Sequence, residues 1–229
     1  MSAAKRTHRD ERRRRLGQNF LLPEVAEALV AAASFRRDDF VVEIGAGLGS
    51  CTFPLAKRVQ RVVAVEIDPA LAARLRLALD RRKVANVTVL CIDARRYRFP
   101  NEPFRIFGSL PFGATTAVMR HMLDHPDGGP IRADLVLQWE VARKRAEVPP
   151  TTLLSSTWTP WWTFELGQRV PAQSFRPVPA VDAAALTVRR RLPALLPADM
   201  ALPYAEFIRE HWDAAGQKRR RVGRDSPYG

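Results

Sequence analysis

Most of what would tie this chain to a membrane, a metal or an oxidising compartment is missing from it. No stretch approaches the roughly 18 consecutive apolar residues needed to span a bilayer, and the charged N-terminus lacks the apolar core of a secretory signal. A cytoplasmic protein is expected. Only two cysteines occur, Cys51 and Cys91, in apolar segments without metal-ligand spacing. That pattern predicts buried structural thiols and no metal site. No Gly-Lys-Ser/Thr follows a glycine-rich turn, which excludes a P-loop. Internal repeats and long low-complexity tracts are also lacking.

Negative charge is scarce as well. Against 37 Lys+Arg stand 24 Asp+Glu, leaving a formal charge of +13. A GC-rich coding bias would explain why the basic residues are almost all arginine, but it leaves the uncompensated sign unexplained. A polyanionic partner accounts for that sign, and electrostatics alone would give nonspecific affinity for nucleic acid.

At 229 residues the chain suits one substantial domain with a small appendage. Residues 1–15 read as a basic, flexible arm holding Lys5, Arg6, Arg9 and Arg12 to Arg15. Its readings are a solvated tail or a phosphate-backbone contact. A helix is predicted from Pro23, with Val25, Ala28, Leu29 and Ala32 at helical spacing. Strands are predicted over Phe40 to Ile44, Arg61 to Glu66, Val87 to Ile92, Phe104 to Phe107 and Leu135 to Trp139. Between them, Asp68-Pro69 begins a helix with Leu71, Leu75, Ala78 and Leu79 inward, and Thr115 to Leu123 forms another. The pattern weakens between Pro149 and Pro179, and a final strand is read at Ala184 to Arg189. The main domain is placed at 16–190. Residues 191–229 follow as a small helical region, with a linker at Arg190 to Pro197, a helix at Tyr204 to Trp212 and a basic tail from Gln217.

Short apolar strands alternating with helices predict an α/β fold with a doubly wound, mostly parallel sheet. Ligands in such sheets bind beyond the carboxyl ends of the strands, near the switch in strand order. The chemical motifs fall there. Gly45, Gly47 and Gly49 follow the first of these strands and permit a tight turn under a ligand. A third glycine of the dinucleotide pattern would fall at Ser50, so that match fails. Glu66 ends the next strand, where a carboxylate would accept both ribose hydroxyls of an adenosine cofactor. These residues fit NAD and S-adenosylmethionine equally. Asp93, after the following strand, would accept from an adenine amino group or merely cap a helix.

Gly108-Ser109-Leu110-Pro111-Phe112 discriminates further. An exocyclic amine on a base is a poor nucleophile, because its lone pair is delocalised into the ring. Methylation needs acceptors that hold both N–H bonds while the nitrogen pyramidalises. The Ser109 hydroxyl and the Leu110 carbonyl would be those acceptors, with Pro111 stiffening the loop and Phe112 stacking on the target ring. The alternative is an ordinary strand-to-turn proline.

Gln18-Asn19-Phe20-Leu21, Glu43-Ile44-Gly45-Ala46-Gly47, Val65-Glu66-Ile67-Asp68, Asp93 and Leu110-Pro111-Phe112 occur in the order of the rRNA adenine dimethyltransferases. The chain resembles that family, which joins the Erm macrolide-resistance enzymes with the KsgA/Dim-type small-subunit enzymes. Gln138 to Ala142 and Phe175 to Val181 resemble two further family segments, and the similarity covers roughly residues 16–190. The resemblance implies a Rossmann-like class I fold and S-adenosylmethionine as cofactor. It implies that Gln18 and Asn19 hold the methionine end of that cofactor above the glycine turn. It also implies that Phe112 and Phe175 clamp a flipped adenine, although Phe175 would alternatively be a core residue.

Two departures from the family pattern stand out. Ser109 replaces the usual Asn and leaves the number of methyl groups open, and Pro193 to Gly229 is short for a small-subunit enzyme. The second favours an Erm-type enzyme acting on 23S rRNA, protein-free or precursor, as a monomer with no membrane partner. Arg12, Arg13, Arg14 and Arg15 with Lys218, Arg219, Arg220 and Arg221 would contact RNA phosphates. The rival readings are a small-subunit dimethyltransferase of ribosome assembly and a noncatalytic RNA-binding protein that kept the fold. A dehydrogenase is remote, because nothing resembles a hydride-transfer site.

Overall fold

The computed structural model describes residues 19–224, with side chains described through residue 212. The expected arm at 1–15 and Gln18 lie outside the described residues, as do the side chains of Lys218 to Arg221. Among the described residues, no helix is long and apolar enough to cross a membrane.

The chain enters through a short strand, β1 (Phe20–Leu21), and a helix, α1 (Pro23–Ala32), that begins at Pro23 as its fixed φ favours. Strand β2 (Phe40–Ile44) leads to α2 (Thr52–Ala56), and β3 (Arg61–Glu66) to α3 (Pro69–Arg81). The Asp68 side chain accepts from the Ala70 N–H at 2.8 Å and caps α3 as expected. Then follow β4 (Val87–Cys91), β5 (Arg105–Ser109), α4 (Thr115–Leu123), β6 (Arg132–Gln138), α5 (Trp139–Ala146) and α6 (Leu153–Trp158). The rest is β7 (Trp162–Val170), β8 (Phe175–Arg176), β9 (Ala183–Arg190) and a long helix, α7 (Ala201–Arg224).

Seven strands form one sheet in the order β4-β3-β2-β5-β6-β9-β7. The β4 to β6 part is parallel, whereas β9 pairs antiparallel with both β6 and β7. Strand order therefore switches between β2 and β5. All five residues of β2 are buried, because helices cover both faces of the sheet. Alternation along β2 sends Phe40, Val42 and Ile44 into a core with Met119, Met122, Leu135 and the Trp158–Trp162 aromatics. Val41 faces the opposite core, with Leu29, Val30 and Leu55.

Several expectations are corrected, among them the last helix, which runs Ala201–Arg224 and takes in the start of the expected basic tail instead of spanning Tyr204 to Trp212. Strand β6 starts at Arg132, three residues before the predicted Leu135, and Trp139 belongs to α5. Its early charges look like loop in the sequence, but Asp134 is paired inside the fold. Strand β7 has no predicted counterpart, because its burial alternates poorly and its register shifts between Leu166 and Arg169. Cys51 is buried but Cys91 is exposed, because β4 is an edge strand.

Candidate active site

The switch point opens into a cavity of about 520 Å³ at the carboxyl ends of β2, β3, β4 and β5. Strand β2 delivers the glycine turn, in which Gly45, Gly47 and Gly49 all have positive φ. The Gly45 and Ala46 N–H groups donate to the Val65 carbonyl at 2.9 and 3.2 Å, which ties the turn to β3. At Gly47 a Cβ would lie 2.9 Å from the Phe20 ring, so the turn and β1 can pack only around a glycine. Gly45 and Gly47 line the cavity. Gly49 does not belong to its wall, because there the chain turns back into α2 against Leu75 and Phe53.

Glu66, 4% exposed, ends β3 with its carboxylate already oriented. One oxygen accepts from the Gly47 N–H and the other from the Asp68 N–H, each at 2.8 Å. Burial pushes this carboxyl up, and backbone hydrogen bonds, those from Asp68 and Gly47 first, oppose the shift. A carboxylate accepts about four hydrogen bonds, so lone pairs remain for a diol. Asp93 lines the cavity and its side chain caps a short turn. Its carboxylate accepts from the Arg95 backbone at 2.9 Å and from the Arg95 guanidinium, which pulls the Asp93 carboxyl below its usual range.

Strand β5 runs two residues beyond the predicted Phe107, so Ser109 is its last residue, paired with Val136 of β6. The Leu110 N–H donates to the Val136 carbonyl at 3.1 Å. The Pro111 carbonyl accepts from the Ala114 N–H at 2.9 Å and from the Thr115 hydroxyl at 3.1 Å, closing the first turn of α4. Neither the Ser109 hydroxyl nor the Leu110 carbonyl enters a hydrogen bond among the described residues. Both residues line the cavity, as does the half-buried Phe112.

Asn19 and Phe175 reach the same cavity through a second, two-stranded sheet. There β1 pairs antiparallel with β8, matching Phe20 with Arg176 and Leu21 with Phe175. Phe175 is 2% exposed and packs in the core around Leu21 and Val136, while contributing to the cavity wall. Of the described residues proposed from sequence for cofactor or target base, all but Gly49 meet in this one cavity.

Sequence reasoning missed two features. Leu48, Ile67 and Ile92 line the cavity while remaining 37%, 44% and 36% exposed, an apolar surface suited to the faces of an aromatic ring. Glu43, 2% exposed, is the other. Alternation along β2 points it toward α2, where the Thr52 hydroxyl donates to it at 2.6 Å. Burial pushes the Glu43 carboxyl up to about 8, against the Thr52 hydrogen bond and with help from nearby Glu66. The signal was visible as a lone carboxylate in an otherwise apolar strand.

Comparison with known proteins follows the same lines. A family model described as ribosomal RNA adenine dimethylase matches residues 9–219. The chain belongs to the ribosomal RNA adenine dimethylase family. An rRNA adenine N-6-methyltransferase of Corynebacterium diphtheriae is 35% identical over 201 residues, 88% of this chain and 78% of that protein. The mycinamicin-resistance protein MyrB of Micromonospora griseorubida is 37% identical over 206 residues, 90% of this chain and 64% of MyrB. Against three further curated relatives the chain spans 50%, 56% and 70% of their length. Curated small-subunit rRNA methyltransferases stand at 34–36% identity. Among solved structures, the 23S rRNA methyltransferase ErmE superposes with a TM-score of 0.76 at 32% identity, covering 86% of this chain and 80% of ErmE. The class I methyltransferase fold expected of the family is thus the fold observed.

Proposed function

We propose that this member of the dimethylase family methylates the exocyclic amino group of an adenine in 23S rRNA and thereby confers macrolide–lincosamide–streptogramin resistance. The observation that carries the reading is the pair of open acceptors, the Ser109 hydroxyl and the Leu110 carbonyl, beside Phe112 in the cavity wall. The 23S assignment draws on the similarity to the 23S rRNA methyltransferase ErmE over 86% of this chain, and the resistance role on the similarity to the mycinamicin-resistance protein MyrB over 90% of it.

The residues present fit S-adenosylmethionine. Glu66 would offer acceptors for the ribose hydroxyls, Ile67 and Ile92 would give apolar surface for the adenine, Asp93 would accept from its amino group, and Asn19 with Gly45 and Gly47 would hold the methionine end; all of them line the cavity. When bound, that group supplies a methyl electrophile activated by a sulfonium. On the substrate side, Ser109 and Leu110 accept the two N–H bonds of the target amine and draw its lone pair out of ring conjugation. No strong base is needed, because the alkylated nitrogen is acidic and sheds its proton to water. Phe112, with Phe175 beside it in the cavity wall, supplies aromatic surface that offsets the few kcal/mol lost on unstacking the base. Arg12 to Arg15 and Lys218 to Arg221 add salt-sensitive phosphate contacts from both ends of the chain.

The decisive experiment is methyl transfer from labelled S-adenosylmethionine to protein-free 23S rRNA and, separately, to pre-30S particles, with mass mapping of the product. Label on one adenine of bare 23S rRNA is the expected result. Label confined to the small-subunit particle would overturn the 23S assignment, and no label on either RNA despite cofactor binding would overturn the substrate class.

A further inference from the structure

In the free protein the Asp93 carboxylate is already filled. One of its oxygens accepts from the Arg95 backbone N–H at 2.9 Å and from the Arg95 Nε at 3.0 Å. The other accepts from the same Nε at 3.0 Å and from Nη2 at 2.5 Å. Four contacts use up the roughly four acceptor positions of a carboxylate. The amino group of an adenine laid against Ile67 and Ile92 would therefore meet an acceptor with no lone pair to spare. The backbone contact is fixed, because it caps the turn Ala94–Arg96 that follows β4. The guanidinium is the movable donor, the end of a flexible side chain that is 55% exposed.

An exposed ion pair contributes little to stability, so an incoming amino group can displace it at small cost. The displaced guanidinium has no second acid to turn to. Asp93 is its one ion-pair partner among the described residues, and the exposed side chains of Arg96 and Arg98 make no hydrogen bond or ion pair there. Three arginines within four residues then stand at the cavity rim. Arg95 itself lines the cavity that also holds Phe112, Gly113 and Ala117, on the side assigned to the target base. A phosphodiester has the charge and the paired oxygens that match an open guanidinium fork.

We infer that Arg95 exchanges partners: it holds Asp93 in the free protein and passes to a phosphate of the RNA strand once the cofactor adenine has taken Asp93. Cofactor and RNA then bind with positive coupling, and each raises the affinity of the other by the same factor. This exchange rests on the reading of Asp93 as adenine acceptor and of RNA as substrate, and adds the residue that links the two sites.

The test uses the full chain, with S-adenosylhomocysteine as the probe, because it carries the adenine but no methyl group to transfer. Its affinity is measured by calorimetry, and that of protein-free 23S rRNA across a salt series, for wild type, Arg95→Ala and Arg96→Ala. In wild type, saturating S-adenosylhomocysteine should tighten RNA binding about two- to fivefold and steepen the slope of log affinity against log salt by about one. Without RNA, Arg95→Ala should bind S-adenosylhomocysteine about two- to fivefold more tightly than wild type, since nothing has to be displaced from Asp93. The same variant should lose both the tightening and the added slope. Arg96→Ala removes a neighbouring charge without touching the Asp93 contacts and should keep the coupling. Unchanged or weaker S-adenosylhomocysteine binding by Arg95→Ala would overturn the exchange, as would coupling that survives in Arg95→Ala or is lost equally in Arg96→Ala. Each of these results, with wild type binding both partners, leaves the proposed function standing. Failure of wild type to bind S-adenosylhomocysteine or RNA overturns that function and the exchange together.

Discussion

The two ends of the same parallel strands are built on opposite rules. At the amino ends of β5 and β6, Arg105 donates to Asp39 at 2.8 Å, to Asp134 at 3.1 Å and to the carbonyls of Ala33 and Ser34. Asp134 also accepts from Arg132 and from the Thr187 hydroxyl. Phe35 covers the guanidinium at 4.2 Å. At the carboxyl ends, the Ser109 hydroxyl and the Leu110 carbonyl have no partner among the described residues, and three large apolar side chains stay partly exposed. Buried charges at one end are paired with one another, with the Arg105 Nε alone of that guanidinium left without a partner, whereas the other end keeps acceptors open toward the cavity. The contrast separates what holds the sheet together from what is left to meet a ligand.

Breaking the closed end should have the largest effect on stability. Arg105→Met leaves Asp39 buried without its cation and is expected to cost about 3–5 kcal/mol in urea denaturation. The protein that remains folded should bind cofactor normally; wild-type stability would show that the network is dispensable. At the open end, Glu66→Ala removes a charged acceptor and strands the Gly47 and Asp68 N–H groups. Cofactor Kd by calorimetry should rise on the order of 10- to 100-fold, and an unchanged Kd would remove Glu66 from the cofactor site. Phe112→Ala should lower kcat/KM for RNA by about 10- to 100-fold, as expected for one base–aromatic stack, with cofactor affinity retained. Loss of cofactor binding instead would contradict its assignment to the target base.

Glu43 belongs to the open end but behaves like the closed one. Its carboxyl is raised in the fold to about 8 from an ordinary 4.5, so between those values the native state holds a proton that the unfolded chain has released. Its contribution to stability is therefore full below about pH 4.5 and declines as pH rises to about 8, by about 1.4 kcal/mol per pH unit. Unfolding free energies at pH 5, 6, 7 and 8 should fall less steeply in Glu43→Gln than in wild type. Parallel curves would mean that Glu43 is ionised in the native protein. The smallest change is expected from Ser109→Asn, which offers an amide oxygen where the hydroxyl stood. Methylation should persist within a few-fold, with the dimethyl product equal or increased by mass spectrometry. A folded, cofactor-binding but inactive variant would refute the acceptor role.

Local patterns carried the reading of the sheet where both faces are apolar. Phe40 to Ile44 and Arg61 to Glu66 are strands with the predicted bounds, and Asp68-Pro69 starts α3 as its capping chemistry requires. Where stability comes from partners distant in sequence, the pattern failed. The start of β6 is hidden because Arg132 and Asp134 look solvated until Arg105 and Thr187 are brought to them. Strand β7 is an edge whose alternation is interrupted, so only its pairing with β9 defines it. In the candidate site, the glycine turn, Glu66, Asp93 and the Ser109–Phe112 loop were legible because each lies at the end of a short apolar strand. Leu48, Ile67 and Ile92 were not, because an exposed apolar residue has no meaning until the cavity beside it exists.

By itself the sequence determined the strand and helix periods, the excess of positive charge and the residue types available for chemistry, since these follow from local spacing and composition. Only the tertiary structure decided which of those residues share a wall. It brought Phe175 beside Asn19 by pairing β8 with β1, kept Gly49 out of the cavity wall, and left the buried Arg145 Nε without a hydrogen-bond partner among the described residues. The reason is physical: which polar groups find partners, and which are left open, depends on contacts between residues far apart in the chain, and local spacing carries no record of them.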